Sequence, residues 1–170
     1  CGRDSCGSVL HTHARMVCVS IRVLAVGRKH ESWVEEGIER YERRLRKPWD
    51  VQWDLLQHSS KADDVARAEE SARLLKKIGG GDYVVLLDER GKMLSSPRLA
   101  KALRGPIDQG KRVVVVIGGA FGVDESVHRR ADLVWSLSDL VFPHQLVRLM
   151  LVEQVYRSQE IMAGSGYHHV

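Results

Sequence analysis

The stretch RVVVVIGGAFGVDES, residues 112 to 126, decides the fold class. Arg112 to Gly119 reads as a strand, and its unbroken valine run leaves no polar side for water, so both faces should be covered by other elements. Gly118, Gly119 and Gly122 end the strand, and a helix is expected from about Asp124 to Ala131. A buried strand that passes through a glycine turn into a helix is half of a βαβ unit.

The same alternation extends in both directions. Toward the amino terminus, DYVVLLD (82 to 88) is a second near-continuous apolar strand. Behind it, the loop ERGKMLSS leads to a short helix with Ser96 as N-cap and Pro97 at its first position, ending before Gly105 and Pro106. Further back lie a helix over 61 to 78, a strand over 50 to 57, a helix from Ser32 to Lys47 stopped by Pro48, and a strand over 20 to 26. Toward the carboxyl terminus, a strand spans 133 to 138 and a helix runs from about Pro143 to Met162. Five strands alternating with five helices predict an α/β fold with three layers and a largely parallel sheet.

The chain has 170 residues, of which 44% are hydrophobic and 28% charged, the balance of one globular domain rather than a disordered tail. No apolar run reaches the roughly 18 residues of a membrane span, so a cytoplasmic protein without a membrane partner is expected. Three cysteines near one end make no disulfide framework. Cys1, Cys6, His11 and His13 match no common zinc spacing, and no metal is expected. Residues 1 to 15 lack an apolar pattern and are expected to be a disordered leader or extension, with residues 16 to 170 as the single domain. A sequence pI near 9.1 permits contact with phosphates without requiring it.

Ligands of parallel sheets bind where strands end and helices begin. Three loops qualify: the one after Leu87, the one after Gly118, and SLSDLVFP, residues 136 to 143. In the last, Leu137, Leu140, Val141 and Phe142 interleave with Ser138 and Asp139, so apolar side chains stand beside free backbone groups. That suits a flat ligand such as adenine, and equally an apolar loop tucked into the core. Gly118 either admits a ligand to the backbone or forms a tight turn. Asp88 and Glu89 are an acid-base pair or ordinary surface charges. The last helix has an apolar stripe too wide for one contact face, interrupted by Arg148, Glu153 and Arg157, and Arg157 could face a site. Tyr167 could stack on a base, and His168 could take a proton or meet a phosphate.

Taken together, LDERGKMLSS, VIGGAFG, LSDLVFPHQLVRLMLVEQVYR and the terminal YHH resemble the SPOUT-class methyltransferases of the ribosomal RNA large subunit methyltransferase H family, which modify N3 of a pseudouridine in 23S ribosomal RNA. The likeness covers residues 20 to 169. It implies a carboxyl-terminal trefoil knot, a homodimer, the ribosome as partner and S-adenosylmethionine as cofactor. It places the cofactor on Leu87, Gly118, Leu137, Ser138, Asp139, Leu140, Val141 and Phe142, and the target base near Arg157, Tyr167 and His168. The family's tail has Lys or Arg where His169 stands here, and Val170 is additional. A non-catalytic RNA- or ribosome-binding module of the same fold is the alternative. A nucleotide-dependent oxidoreductase is disfavoured because no dinucleotide fingerprint is present.

Overall fold

The computed structural model describes residues 21–168. Residues 1–20, on which the expected leader and the three cysteines fall, lie outside the described residues, as do His169 and Val170.

The elements run β1 (Ile21–Val26), α1 (Ser32–Glu42), β2 (Val51–Leu56), α2 (Asp63–Lys76), β3 (Tyr83–Met93), α3 (Ser96–Asp108), β4 (Val113–Ile117), α4 (Glu125–Arg130), β5 (Leu133–Ser136) and α5 (His144–Met162). The sheet order is β2-β1-β4-β3-β5, and every neighbouring pair is parallel. Alternate residues of each strand face opposite layers. Val23, Val85, Val113 and Val115 pack with Leu99 and Leu103 of α3 and Leu151 and Val155 of α5, while Val152 of α5 joins Val34 and Ile38 of α1. Leu24, Leu86, Val114 and Val116 pack on the other side with Leu74 of α2 and Val127 of α4. The expected three layers are therefore α1, α3 and α5; the sheet; and α2 with α4.

Several boundaries differ from expectation, among them the ends of β4 at Ile117 and β5 at Ser136. Helix α1 stops at Glu42 instead of Lys47, because α5 takes the backbone beyond it: Gln159 Nε2 donates to Arg44 O at 3.1 Å and Gln159 Oε1 accepts from Arg46 N at 2.6 Å. Glu31, not Ser32, precedes α1, and Ser95, not Ser96, precedes α3. Ser96 Oγ instead donates to Gln154 Oε1 at 2.8 Å. Helix α3 continues through Gly105 and Pro106 to Asp108, since Pro106 and Ile107 are buried and apolar contact holds the turn that proline disfavours.

Strand β3 does not end at Asp88. It continues to Met93 after a shift in register, so that Leu87 and Lys92 both pair with Trp135 of β5. A side chain at Gly91 would not fit there: a Cβ would stand 2.7 Å from the backbone of Val134 and Trp135. Among the described residues, no helix is long and apolar enough to cross a membrane, and no group of three or more His, Cys, Asp or Glu could hold a metal ion.

Candidate functional site

The carboxyl ends of β3, β4 and β5 open into a cleft of about 900 Å³, within the usual range for a small-molecule site. Leu87 and Gly118 line it, as do Leu137, Ser138, Leu140, Val141 and Phe142; Asp139 is exposed and does not. The segment after β5 owes its shape to local bonds. Ser136 Oγ donates to Ser138 O at 2.8 Å, and Ser138 Oγ accepts from Leu140 N at 3.0 Å, so these hydroxyls fold the loop and leave its apolar side chains to form a wall. Leu140 and Val141 are 68% and 81% exposed, far more than apolar side chains gain by in water, and they stand at the cleft mouth.

The opposite rim is acidic. Asp88, Glu89, Asp124 and Glu125 line the cleft with Arg67 and Arg90. Burial pushes the Asp88 carboxyl up, but hydrogen bonds from the Arg90 side chain and backbone outweigh it and bring it below the ordinary carboxylate value. His128 Nε2 lies 3.1 Å from Asp88 Oδ2, and Arg90 reaches the same nitrogen. Asp124 caps α4, accepting from Ser126 N at 2.9 Å and Val127 N at 3.3 Å, and these bonds with that from the Ser126 hydroxyl likewise overcome burial to lower its pKa. The cleft thus joins apolar walls to a fixed negative edge, a combination suited to a nucleoside that carries positive charge.

Two buried charged groups have partners that local pattern does not reveal. Arg148 is 1% exposed yet has no carboxylate partner among the described residues; its guanidinium donates to Val26 O and Lys29 O, both at 2.9 Å. This ties α5 to the end of β1 and explains a charge on an otherwise apolar stripe. Gly27 leaves the room, since a Cβ there would stand 2.5 Å from the same guanidinium. Glu70, 4% exposed, accepts from Ser59 N at 2.8 Å and occupies the space that a side chain at Gly119 would need. A Cβ on Gly118 would stand 3.0 Å from Gly122 C and from Val123 Cγ1, so that glycine is required first by the folding of its own loop.

Arg157, Tyr167 and His168 come together, but not in this cleft. Glu153 Oε1 accepts from Arg157 Nε at 3.0 Å and Nη2 at 2.6 Å and from the Tyr167 hydroxyl at 3.3 Å, while Arg157 Nη1 lies 3.4 Å from His168 Nδ1. Burial and the Glu153 charge push the Tyr167 hydroxyl up to about 12. The rings of Tyr156 and Tyr167 meet edge to face at 4.8 Å. Helix α5 starts at the cleft with His144, and Arg157 lies thirteen residues on, about 20 Å along the axis at 1.5 Å per residue. One chain therefore holds its two candidate clusters at opposite ends of the sheet.

Residues 19–168 match the sequence profile of the family described as "Predicted SPOUT methyltransferase". Ribosomal RNA large subunit methyltransferase H of Geotalea daltonii is 40% identical over 153 residues, covering 88% of this chain and 99% of that protein. The protein of the same name from Rhizobium etli is 47% identical over 108 residues, 63% of this chain and 68% of that one. The crystal structure of a methylase family protein from Neisseria gonorrhoeae superposes with a TM-score of 0.51 at 11% identity, over 90% of this chain and 87% of that one, a likeness of fold alone. A family match over residues 19–168 and a relative 40% identical over 88% of this chain, on a parallel sheet whose strand ends form the cleft described, show that the chain is a methyltransferase and belongs to the SPOUT family, among the ribosomal RNA large subunit methyltransferases H.

Proposed function

We propose that this enzyme transfers the methyl group of S-adenosylmethionine to N3 of a pseudouridine in large-subunit ribosomal RNA, on the assembled ribosome and as a homodimer. The observation that carries the reading is the cleft: a hydrophobic wall from Leu87, Leu137, Leu140 and Phe142 fits the adenine, and the acidic rim suits a ligand bearing a sulfonium and an ammonium. When bound there, the cofactor supplies an electrophilic methyl group and leaves as a neutral thioether. The names of the relatives supply the class of RNA.

The tail cluster supports the rest. Transfer to N3 requires that its proton leave as the N–C bond forms. Tyr167, with its hydroxyl at about 12, stays a hydrogen-bond donor at neutral pH. Arg157 brings positive charge beside an imide that is losing its proton, and the His168 imidazole and the Glu153 carboxylate are the groups of the cluster able to accept a proton. Because Arg157 stands about 20 Å along α5 from the cleft, a site containing both needs a second copy. A groove between Tyr41, Leu146, Leu149, Met150 and Glu153 on the outer face of α1 and α5 is the surface we assign to it, which also accounts for the breadth of the apolar stripe on α5. The knot belongs to the same reading: residues 137 to 143 leave the sheet edge at β5, and α5 returns inward between α1 and α3.

The test is single-turnover methylation of intact ribosomes with mass mapping of the modified nucleotide. The expected product is one N3-methylpseudouridine; tight cofactor binding with no methylated product would overturn the proposal.

A further inference from the structure

The last turn of α1 and the loop that follows it carry a dense positive charge. Between residues 40 and 47 stand Arg40, Arg43, Arg44, Arg46 and Lys47 against one carboxylate, Glu42, which is occupied by Trp53 Nε1 at 2.7 Å. Arg43 pairs with Glu39, whereas Arg44 and Arg46 form no ion pair among the described residues. Like-charged side chains at such density repel and would ordinarily scatter into solvent.

Here the backbone that carries them is fixed. Gln159, 6% exposed, uses both ends of its amide on this loop, donating to Arg44 O and accepting from Arg46 N. The Arg44 side chain is fixed as well, its guanidinium 4.4 Å from the centre of the Tyr156 ring and 6.0 Å from that of Tyr167. An arginine stacked on an aromatic face keeps its N–H groups in the plane of the guanidinium and open to a planar or tetrahedral anion. The nearby carboxylate, Glu160, accepts from Ser165 and from Gln159 Nε2 at 3.0 Å, and although the charges of Arg46 and Arg44 also act on it, neither arginine closes to an ion pair with it. Tyr167, one of the groups assigned to the target base, is thus flanked by Arg157, 4.9 Å from its ring centre, and by Arg44.

We infer that the loop of residues 43 to 47 is a phosphate-binding element for RNA: Arg44 and Arg46 grip the backbone of the ribosomal strand beside the target nucleotide and so set that nucleotide over Tyr167. The inference rests on the proposed RNA substrate and adds to it the surface that positions the strand. Phosphate contacts of this kind position without reading sequence, and each one formed releases counterions, which makes affinity fall with salt.

The experiment measures binding of the full chain to purified 70S ribosomes across 50 to 200 mM KCl, with cofactor titration and melting temperature alongside. The double variant Arg44→Ala, Arg46→Ala should lower ribosome affinity roughly tenfold and reduce the slope of log K against log salt by about one to two, with cofactor affinity and melting temperature unchanged. Arg44→Lys should keep the slope while losing part of the affinity, because the charge remains and the stacked geometry does not. A double variant with the slope and affinity of the original chain overturns the inference, as does one whose cofactor affinity or melting temperature falls in step with ribosome binding. If the original chain methylates ribosomes in those cases, the proposed function stands without this surface. If it neither binds nor methylates them, both fall.

Discussion

At the scale of single residues, the positions that hold the site are the ones local pattern conveys least. Leu87, Gly118 and the run from Leu137 could be marked as strand ends because apolar strands and glycine turns have a short period. Arg148, Glu70 and Gly91 act on residues dozens to more than a hundred positions away, and a charge on a helix or a glycine in a loop does not announce such a partner. Their variants separate fold from site. Gly91→Ala drives a methyl group into the backbone of Val134 and Trp135, so β3 must lift off β5. Overpacking of this kind costs roughly 1–3 kcal/mol, visible as a melting point lower by several degrees. Arg148→Met removes the donors to Val26 O and Lys29 O; the carbonyl of buried Val26 loses that donor at a cost of about 1–3 kcal/mol, whereas Lys29 is exposed and its carbonyl keeps the Gln145 Nε2 bond at 3.3 Å. Thermal melting and cofactor titration should both register it, since His144 and Val147, which flank Arg148 on α5, line the cleft. Gly118→Val should weaken cofactor binding at least about tenfold, ~1.4 kcal/mol, with the far-ultraviolet spectrum retained, because the branched side chain displaces Gly122 and Val123. Calorimetry with unchanged affinity would show that the loop yields without cost.

At the scale of elements, α5 does several tasks along one axis. Its first turn lines the cleft, its second turn ties to β1, its middle packs on α1 and α3, and its last turns hold the tail. The hydrophobic stripe revealed a helix with too much apolar surface for one face, but periodicity does not say that its ends serve different clusters. The early stop of α1 was illegible for a related reason: Leu45 continues the helical spacing, and only Gln159, from the far end of the chain, makes a turn the better arrangement. Strand β3 extends past Asp88 because β5 offers Trp135 and Ser136 as partners, although ERGKM lacks strand character by itself. This division of α5 gives a prediction. Deletion from Gly166 onward removes Tyr167 and His168 and, among the described residues, nothing that lines the cleft, so cofactor affinity should persist while ribosome methylation falls by most of its rate. A deletion that methylates at the original rate removes the tail from the chemistry, and one that loses cofactor binding places the tail in the cleft.

At the scale of the whole molecule, the burial of titratable groups fixes how stability responds to acid. Burial is the main influence lowering the His30 pKa below 6.5, reinforced by the Arg148 charge, and the ring also stands edge-on to Trp53 at 4.6 Å. His144 is lowered in the same sense, again by burial first and then by Arg148. A histidine with a depressed folded pKa binds protons more readily when the chain unfolds, so its contribution is complete above the unfolded value of 6.5 and declines as pH falls below it. The carboxylates behave differently in range. Asp54, Asp82, Asp88 and Asp124 are all brought below 3.8 because hydrogen bonds and neighbouring cations outweigh burial; their stabilisation is present above 3.8 and is lost only as pH falls through their lower folded values. Acid should therefore act in two stages, first near 6.5 through the histidines around Arg148 and later below 4 through the carboxylates. Melting temperature followed from pH 8 to pH 3 should decline gently between 6.5 and 5 and steeply below 4, and His30→Gln should shrink the first decline while leaving the second in place. A curve that stays flat from pH 8 to 5 would mean that the histidines around Arg148 take up protons in the folded chain as freely as in water, which is incompatible with a guanidinium buried beside them, 3.4 Å from His30 Nδ1 and without a carboxylate partner among the described residues.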